Sequence, residues 1–349
     1  MTAARPVRPG DVISFNRLRS REHPRGTYGM SRRIVVAGGA GHIGRRLAAV
    51  LLDRGDDVIV LSRHPERATR SGPIPGRLER WSTDDPSGLA RILDGADAVV
   101  GVTGVPVGPL PWTRRRRTMI RASRLVPTRA IVDAIRLLPP ARRPRVLVSV
   151  SGTDGYEGQD QLAATEATPT GHGFLADLGR DWEAAAGNAE DLGVRVAITR
   201  IGYVLSPDAT TMRLFALPFR LGLGGPLGSG RQWFSWVHIE DVLGLLMLAI
   251  DDPRHRGPIN AVSPEPARAA DVAAAIGAAL HRPSWLPMPA ALIRLIMRES
   301  SILALGSRRI VPAGALALGY RFRWTDLRAA MADVLRPGDQ RVRASRSVR

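Results

Sequence analysis

The order of apolar and polar residues between positions 33 and 61 predicts a strand, a turn, a helix and a second strand. Residues 33–37 (RIVVA) form a short run rich in β-branched residues, which is typical of a strand buried in a parallel sheet. Residues 57–61 (DVIVL) form a second run of this kind. Between the two runs, apolar residues recur on one helical face at Ile43, Leu47, Val50 and Leu51. The pattern therefore predicts a βαβ unit.

Three further apolar runs of strand length follow this unit. They lie at residues 98–102, 145–150 and 195–199, and helical patterns near 113–138 and 174–192 separate them. Alternating strands and helices are typical of an α/β protein with a doubly wound parallel sheet of the Rossmann type. Ligands bind beyond the carboxyl ends of the strands in such sheets.

A glycine-rich turn joins the first strand to the helix. Gly38, Gly41 and Gly44 have the spacing G-x-x-G-x-x-G. Gly38 permits a tight turn, Gly41 lets the backbone approach a pyrophosphate, and Gly44 lets the helix lie close to the strand. The helix would then direct its first N–H groups, at His42 and Ile43, towards a phosphate. In this strand–turn–helix context the glycines predict dinucleotide binding.

The residues that end the second strand indicate which dinucleotide is bound. NAD sites place Asp or Glu there to bind the ribose 2′-hydroxyl, whereas this chain has Ser62, Arg63 and His64. A guanidinium can bind a 2′-phosphate with two parallel hydrogen bonds, and a carboxylate would repel that phosphate. We therefore expect NADP(H). Thr103 and Gly104, which follow the strand at 98–102, are expected to border the cofactor.

Composition excludes several kinds of chemistry. The chain of 349 residues has no cysteine, so disulfides, thiolate catalysis and Cys-ligated metals are excluded, and no metal site is expected. All 50 basic residues are arginine, against 32 acidic residues, which gives a net charge of +18. Much of this excess lies at the two ends, and no nucleic-acid recognition pattern accompanies it, so we expect no nucleic-acid partner.

No apolar run approaches the ~18–20 residues that a transmembrane helix needs. The arginine-rich N-terminus also lacks the continuous apolar segment of a secretory signal. We therefore expect a cytoplasmic protein with no membrane partner.

Longer stretches of the chain resemble a known family. ADAVVGVTGVPV from Ala96, RIGYVLSPD from Arg200 and the long block FRLGLGGPLGSGRQWFSWVHIEDV from Phe219 are similar to the short-chain dehydrogenase/reductase superfamily. Within it, they resemble the atypical branch of NAD-dependent epimerase family proteins, also named after nucleoside-diphosphate-sugar epimerases. The resemblance extends from Arg33 to about Leu335 and implies a Rossmann-type domain with a smaller C-terminal α+β substrate domain.

The expected domain organisation has four parts. Residues 1–29 would form a basic leader without fixed structure, and residues 30–205 the NADP-binding domain. Residues 206–335 would form most of the substrate domain, with some segments returning to the first domain. Residues 336–349 would form a basic tail. We expect a monomer or a homodimer.

The resemblance also shows what this chain lacks. The superfamily transfers protons with a Tyr-x-x-x-Lys pair, but the chain contains no lysine, and the matching positions are Phe174 or Leu175 and Leu178 or Gly179. The remaining candidate proton-transfer residues lie in one loop, at Ser151, Thr153 and Tyr156. Either Ser151 or Thr153 would match the hydroxyl that orients the substrate.

The sequence thus predicts an NADP(H)-dependent oxidoreductase or epimerase-like enzyme acting on an unidentified small molecule. Related epimerases have an arginine for the substrate diphosphate where this chain has Phe234, so a nucleotide sugar is disfavoured. The alternative is a non-catalytic NADP(H)-binding redox sensor, which the missing Tyr–Lys pair favours.

Overall fold

A parallel sheet runs through the centre of the protein, and its strands are those that the apolar runs predict, with two additions. The computed structural model describes residues 31–70, 72–108, 111–157 and 162–336. In this part of the chain the strands are β1 (Arg33–Ala37), β2 (Asp57–Ser62), β3 (Arg77–Arg80), β4 (Ala98–Gly101), β5 (Val146–Gly152), β6 (Arg195–Ile201), β7 (Tyr203–Leu205), β8 (Trp233–Phe234), β9 (Trp236–His238), β10 (Gly257–Ala261) and β11 (Ala267–Arg268).

Helices follow most strands of the sheet. They are α1 (His42–Asp53), α2 (Pro65–Arg70), α3 (Pro86–Leu93), α4 (Arg114–Arg136), α5 (Phe174–Gly187), α6 (Thr210–Arg220), α7 (Ile239–Asp251), α8 (Ala269–Leu280), α9 (Ala290–Met297), α10 (Ile302–Leu305), α11 (Ala313–Ala317) and α12 (Leu327–Leu335). None of the described helices is long and apolar enough to cross a membrane.

The central sheet has seven strands in the order β10-β6-β5-β4-β1-β2-β3, and every neighbouring pair is parallel. The order reverses between β1 and β4, which makes that point the usual ligand crevice of a doubly wound sheet. This architecture confirms the predicted Rossmann-type fold class.

Helices cover both faces of the sheet. In β1, Ile34 and Val36 face a buried cluster that includes side chains of α1 and α7. Val35 and Ala37 face a second cluster that includes α3 and α4. Alternate residues of one strand point to opposite faces, so a continuous apolar strand is needed to bury both.

The C-terminal part has a core of its own. Trp236, which is fully buried, packs there with side chains of α6, α8 and α12. Two short two-stranded sheets, β8 with β11 and β7 with β9, also belong to this part of the chain. The predicted boundary near residue 205 stays a prediction, and the leader of residues 1–29 and nearly all of the tail lie outside the described residues.

Asp241 fixes the C-terminal segment against α7. The buried Asp241 carboxylate accepts hydrogen bonds from Arg323 N at 2.8 Å, Trp324 N at 3.0 Å and the Tyr320 hydroxyl at 3.2 Å. Burial raises the pKa of Asp241, and these donors oppose that rise by stabilising the ionised form.

Candidate functional site

The glycine-rich turn has the close backbone contacts that the spacing predicts. Gly38 has φ +83°, and a Cβ atom there would lie 2.8 Å from the carbonyl oxygen of Val102. A Cβ atom on Gly44 would lie 2.5 Å from the Cα atom of Gly39. Both contacts are with backbone, which cannot give way, so larger residues would displace the turn. The turn thereby leaves an open backbone surface at the start of α1.

The amino-terminal end of α1 faces this surface. The preceding residue, Gly41, is extended, and within the described chain no side chain caps the helix. The first N–H groups of a helix, here those of His42, Ile43 and Gly44, have no acceptor within the helix. Together with the helix dipole they form a site for an anion.

His42 also contacts the C-terminal part of the chain. Its Nε2 atom lies 2.8 Å from the Ser206 hydroxyl. Burial lowers the pKa of His42, and the nearby Arg46 lowers it further. The imidazole is therefore neutral at pH 7, so it can hydrogen-bond to Ser206 without repelling the nearby Arg46.

The end of β2 presents a guanidinium that has no carboxylate partner. Arg63 is exposed, and none of the described carboxylates pairs with it. Glu66, the acidic residue closest in sequence, is bound by Arg80 at 2.8 Å and lies 3.6 Å from His64. The Ser62 hydroxyl accepts a hydrogen bond from His64 N at 3.2 Å. The charge arrangement therefore suits a phosphate.

Arg45 fixes the turn from outside, a role that the sequence did not reveal. Its guanidinium donates to the Ala40 carbonyl at 2.9 Å, and to the Gly72 and Pro73 carbonyls at 3.0 and 2.8 Å. It therefore ties the glycine-rich turn to the loop that follows α2. Its acceptors are carbonyl groups at distant positions, so no local motif indicates this contact.

A half-buried arginine, Arg124, supports the loop after β4. Gly104, with φ +155°, leaves room for Arg124, whose Cζ atom would lie 3.1 Å from a Cβ atom at Gly104. Arg124 donates to the Val105 carbonyl at 3.1 Å and to the Ile120 carbonyl at 3.0 Å. Burial lowers the pKa of Arg124 to about 10, and Arg116 adds repulsion. The arrangement keeps a positive charge beside the predicted cofactor loop.

The end of β5 places Ser151 opposite the position of the missing lysine. The Ser151 hydroxyl is buried and has no hydrogen-bond partner among the described residues. A Cβ atom on Gly179 of α5 would lie 3.9 Å from that hydroxyl oxygen. Of the two alignments that the sequence left open, this geometry favours Leu175 and Gly179 as the positions of the Tyr–Lys pair. Thr153 is also buried and lies in the next turn of the same loop.

The Tyr156 hydroxyl is held by two other side chains. It accepts from Arg200 Nη1 at 2.6 Å and donates to Asn260 Oδ1 at 2.9 Å. Arg200 in turn binds both carboxylate oxygens of Glu183 at 2.7 Å. Burial raises the pKa of Tyr156, and the charge of Arg200 only partly offsets the rise. Tyr156 is therefore protonated at neutral pH.

Asp154, in the turn after β5, and Tyr203, at the start of β7, are two further titratable residues near the site. Asp154 lies 3.8 Å from Arg308 Nη1, and its side chain is 40% exposed. Burial raises the pKa of Tyr203, and the negative charge of Asp154 raises it further. The Tyr203 ring packs on Phe234 with 4.5 Å between centroids. Tyr203 belongs to the stretch RIGYVLSPD that resembles the family, but its residue type alone did not indicate this contact.

The aromatic residues after position 232 differ in how deeply they are buried. Trp236 is fully buried, whereas Trp233 is half-buried. Arg268 lies over the Trp233 ring at 3.6 Å from its centroid, and Arg309 lies at 5.0 Å. The Nε atom of Arg309 is buried without a hydrogen-bond partner in the described chain. Trp233 is thus the ring of this block that borders charged groups.

A parallel sheet, a glycine-rich turn at its first strand and a helix that opens onto its crevice define a protein of the short-chain dehydrogenase/reductase type. Within that class, the chain belongs to the NAD dependent epimerase/dehydratase family, whose sequence pattern matches residues 34–261. Residues 288–334 match a domain of unknown function, DUF1731.

Relatives of this family are similar over most of the chain. The chloroplastic epimerase family protein SDR39U1 homolog of Arabidopsis thaliana is 33% identical over 305 residues, 86% of each chain. Mouse epimerase family protein SDR39U1 is 35% identical over 307 residues, which are 87% of this chain and 99% of the mouse protein. A crystal structure of human SDR39U1 with NADPH has a TM-score of 0.76 at 33% identity, over 87% of this chain and 99% of the human one. The cofactor of that human structure is the one that Arg63 predicts here.

The structure brings the predicted cofactor residues to one edge of the sheet. The list comprises Gly38, Gly41, His42, Ile43, Gly44, Ser62, Arg63, Thr103 and Gly104, which lie at or just after the ends of β1, β2 and β4. Ser151, Thr153 and Tyr156 follow at the end of β5. Their roles stay predictions. The described residues contain no group of three or more side chains that could hold a metal ion.

Proposed function

We propose that the protein is an NADP(H)-dependent oxidoreductase or epimerase-like enzyme of the atypical short-chain dehydrogenase/reductase type, acting on a small molecule. One observation carries the proposal. The open amino-terminal end of α1 and the guanidinium of Arg63, which has no carboxylate partner among the described residues, lie at the ends of adjacent strands, β1 and β2. These are the two places where a dinucleotide with a 2′-phosphate carries its anionic groups.

The residues present fit that cofactor. The backbone of Gly38, Gly41 and Gly44, which has no room for a Cβ atom at Gly38 or Gly44, would hold the pyrophosphate. Ser62 and Arg63 would hold the 2′-phosphate, and Thr103 and Gly104 would border the nicotinamide half. When bound, the nicotinamide supplies or accepts a hydride. The chain must supply the proton.

Ser151 and Tyr156 can divide that task. The Ser151 hydroxyl is free to bind a substrate oxygen, since it has no partner among the described residues. Tyr156 is a protonated phenol that would act as the acid once its hydroxyl turns from Asn260 to the substrate, and the Arg200 guanidinium would then stabilise the phenolate. Thr153 is the alternative hydroxyl on the same loop.

The substrate is proposed to be a small molecule other than a nucleotide sugar. At the position where related epimerases carry a diphosphate-binding arginine, Phe234 packs against Tyr203. The monomeric or homodimeric state and the cytoplasmic location belong to the same proposal.

The second candidate is a non-catalytic NADP(H)-binding redox sensor. Gly179 faces Ser151 where a lysine would stand, and Leu175 occupies the matching tyrosine position. This part of α5 therefore cannot transfer a proton. A sensor would bind the cofactor without turning over a substrate.

Two measurements test the proposal. Calorimetric titration of the full chain with NADPH should show saturable binding, and absence of binding would refute both candidates. The loaded protein is then incubated with a broad panel of aldehydes, ketones and enones while nicotinamide absorbance is followed. Turnover that Ser151→Ala reduces at least tenfold supports the enzyme, whereas tight binding without turnover across the panel favours the sensor.

A further inference from the structure

A row of apolar side chains is exposed along α6 and the turn that follows it. Leu214, Leu217 and Leu221 recur at spacings of three and four, so they share one side of the helix. Their exposed fractions are 44%, 51% and 66%, and Leu223 and Trp285 beside them are 53% and 63% exposed. We call these five residues the leucine–tryptophan face. Monomeric proteins rarely leave so many large apolar side chains together in water.

One side-chain and one main-chain hydrogen bond, both to backbone carbonyls, hold this face in place. Trp285 Nε1 donates to the Gly222 carbonyl at 3.2 Å, and Leu286 N donates to the Gly224 carbonyl at 3.0 Å. The segment is therefore attached by polar backbone contacts, and its apolar side chains remain outside the core. Leu286 and Met288 are themselves 39% and 37% exposed.

The helix α9, which begins two residues after Met288, continues the pattern. Ile293 is its buried residue, whereas Leu292, Leu295 and Ile296 are 44%, 75% and 59% exposed. Because only one of these four apolar side chains is buried, α9 gains little stability from packing against the rest of the protein. This arrangement is typical of a helix whose exposed apolar side chains bind at a membrane interface.

Guanidinium groups accompany the exposed apolar side chains. Arg213, Arg220, Arg282 and Arg294 are exposed, and none of them pairs with a carboxylate in the part of the chain that the structure describes. Residues 209–231 and 272–298, which supply the leucine–tryptophan face and α9, contain neither Asp nor Glu. The two segments therefore present positive charge without a negative partner.

We propose that the leucine–tryptophan face and α9 dock onto the surface of a membrane that contains anionic phospholipid. Leucine, isoleucine and tryptophan side chains enter the boundary between headgroups and acyl chains, and arginines bind the lipid phosphates. Each cation near an anionic leaflet contributes attraction that salt weakens. The proposal goes beyond the proposed function and does not depend on it.

The charge and residue types of this surface favour an anionic membrane over a second copy of the chain or a nucleic acid. A second copy placed on the same face would bring unpaired guanidinium groups against one another, which disfavours a symmetric dimer there. A nucleic acid could stack a base on Trp285 alone, since the other four residues of the face are leucines, which offer no stacking. The expectation of no membrane partner depended on run length, which tests only whether a segment spans a bilayer. A surface formed by two segments that are distant in the sequence contains no long apolar run, so run length does not detect it.

Vesicle flotation of the full chain with NADPH tests the proposal. We expect binding to vesicles of phosphatidylcholine with phosphatidylglycerol, weaker binding at higher salt, and little binding to phosphatidylcholine alone. The double variant Leu221→Ser, Trp285→Ser should weaken binding to the anionic vesicles at least tenfold. Leu137→Ser is the matched control, because Leu137 is 56% exposed at the end of α4, and it should bind as the unchanged protein does.

A second pair of variants tests the charges. Arg213→Gln with Arg220→Gln should lower the affinity for anionic vesicles several-fold, whereas Arg145→Gln, at an 87% exposed side chain elsewhere, should not. Equal binding by the leucine–tryptophan double variant and the unchanged protein would overturn the proposal and assign vesicle binding to the basic ends of the chain. Light scattering that shows a dimer which the same double variant dissolves would also overturn it.

Discussion

Replacing Arg63 by glutamine should weaken the binding of NADPH far more than the binding of NADH. The substitution removes the charge at the end of β2 and keeps a polar side chain of similar reach. Arg63 is exposed and lacks a carboxylate partner among the described residues, so its removal leaves no buried charge unpaired. We therefore expect the free energy of unfolding to change by less than about 0.5 kcal/mol.

The effect on binding follows from the lost contact with the 2′-phosphate. A hydrogen bond to a charged group contributes about 1.5–3 kcal/mol. Since 1.4 kcal/mol corresponds to a tenfold change, the Kd for NADPH should rise about 10- to 100-fold. NADH carries no 2′-phosphate, so its Kd should change less than about threefold, the remainder being general electrostatics.

Calorimetric titrations of the unchanged protein, Arg63→Gln and the control Arg145→Gln with each cofactor provide the measurement. The control removes a charge whose side chain is 87% exposed and lies outside the proposed site. The NADPH effect should shrink as salt is added. Equal losses for NADPH and NADH, or no loss for either, would show that Arg63 does not bind the 2′-phosphate.

Three further outcomes test the site and the fold. Gly44→Ala should lower the free energy of unfolding by about 1–3 kcal/mol and abolish NADPH binding, because its Cβ atom would meet backbone of the glycine-rich turn; an unchanged melting temperature would contradict this. Ser151→Ala should leave NADPH affinity unchanged and should not lower the melting temperature, because the buried hydroxyl has no described partner to lose; a clear drop would reveal a missed hydrogen bond. Burial lowers the pKa of His255 to about 4. The neutral form is therefore favoured in the folded state, and its contribution, up to about 3 kcal/mol, is present above pH ~6.5 and lost as pH falls towards 4. Urea unfolding at several pH values should show a smaller acid loss for His255→Gln, and parallel curves would refute the assignment.

Most of the fold could be predicted from local patterns in the sequence. The strand at residues 33–37 and the glycine-rich turn depend on neighbouring residues, so their positions could be read from the chain and match the structure. The two strands of the seven-stranded sheet that were not predicted, β3 and β10, lie at its two edges. Arg77–Arg80 is a polar edge strand (RLER), and Gly257–Ala261 contains a proline, so neither resembles a buried apolar run.

The candidate site was harder to predict where contacts join distant residues. Arg124 acquires its position from the Val105 carbonyl and from the space above Gly104. The position of Ser151 opposite Gly179 requires the packing of α5 on β5, which no spacing in the sequence specifies. Motifs therefore indicated the cofactor side, whereas the substrate side required three-dimensional structure.

The hydrogen bonds at Asp241 have a consequence for protein synthesis. A ribosome releases α7 well before residues 320–324, which supply three of the donors to this carboxylate. Until they emerge, the nascent chain holds a carboxyl group that must remain hydrated, and α7 cannot bury that end fully. The native contacts of this end of α7 are therefore completed only after residues 320–324 have left the ribosome, although α7 itself emerges much earlier.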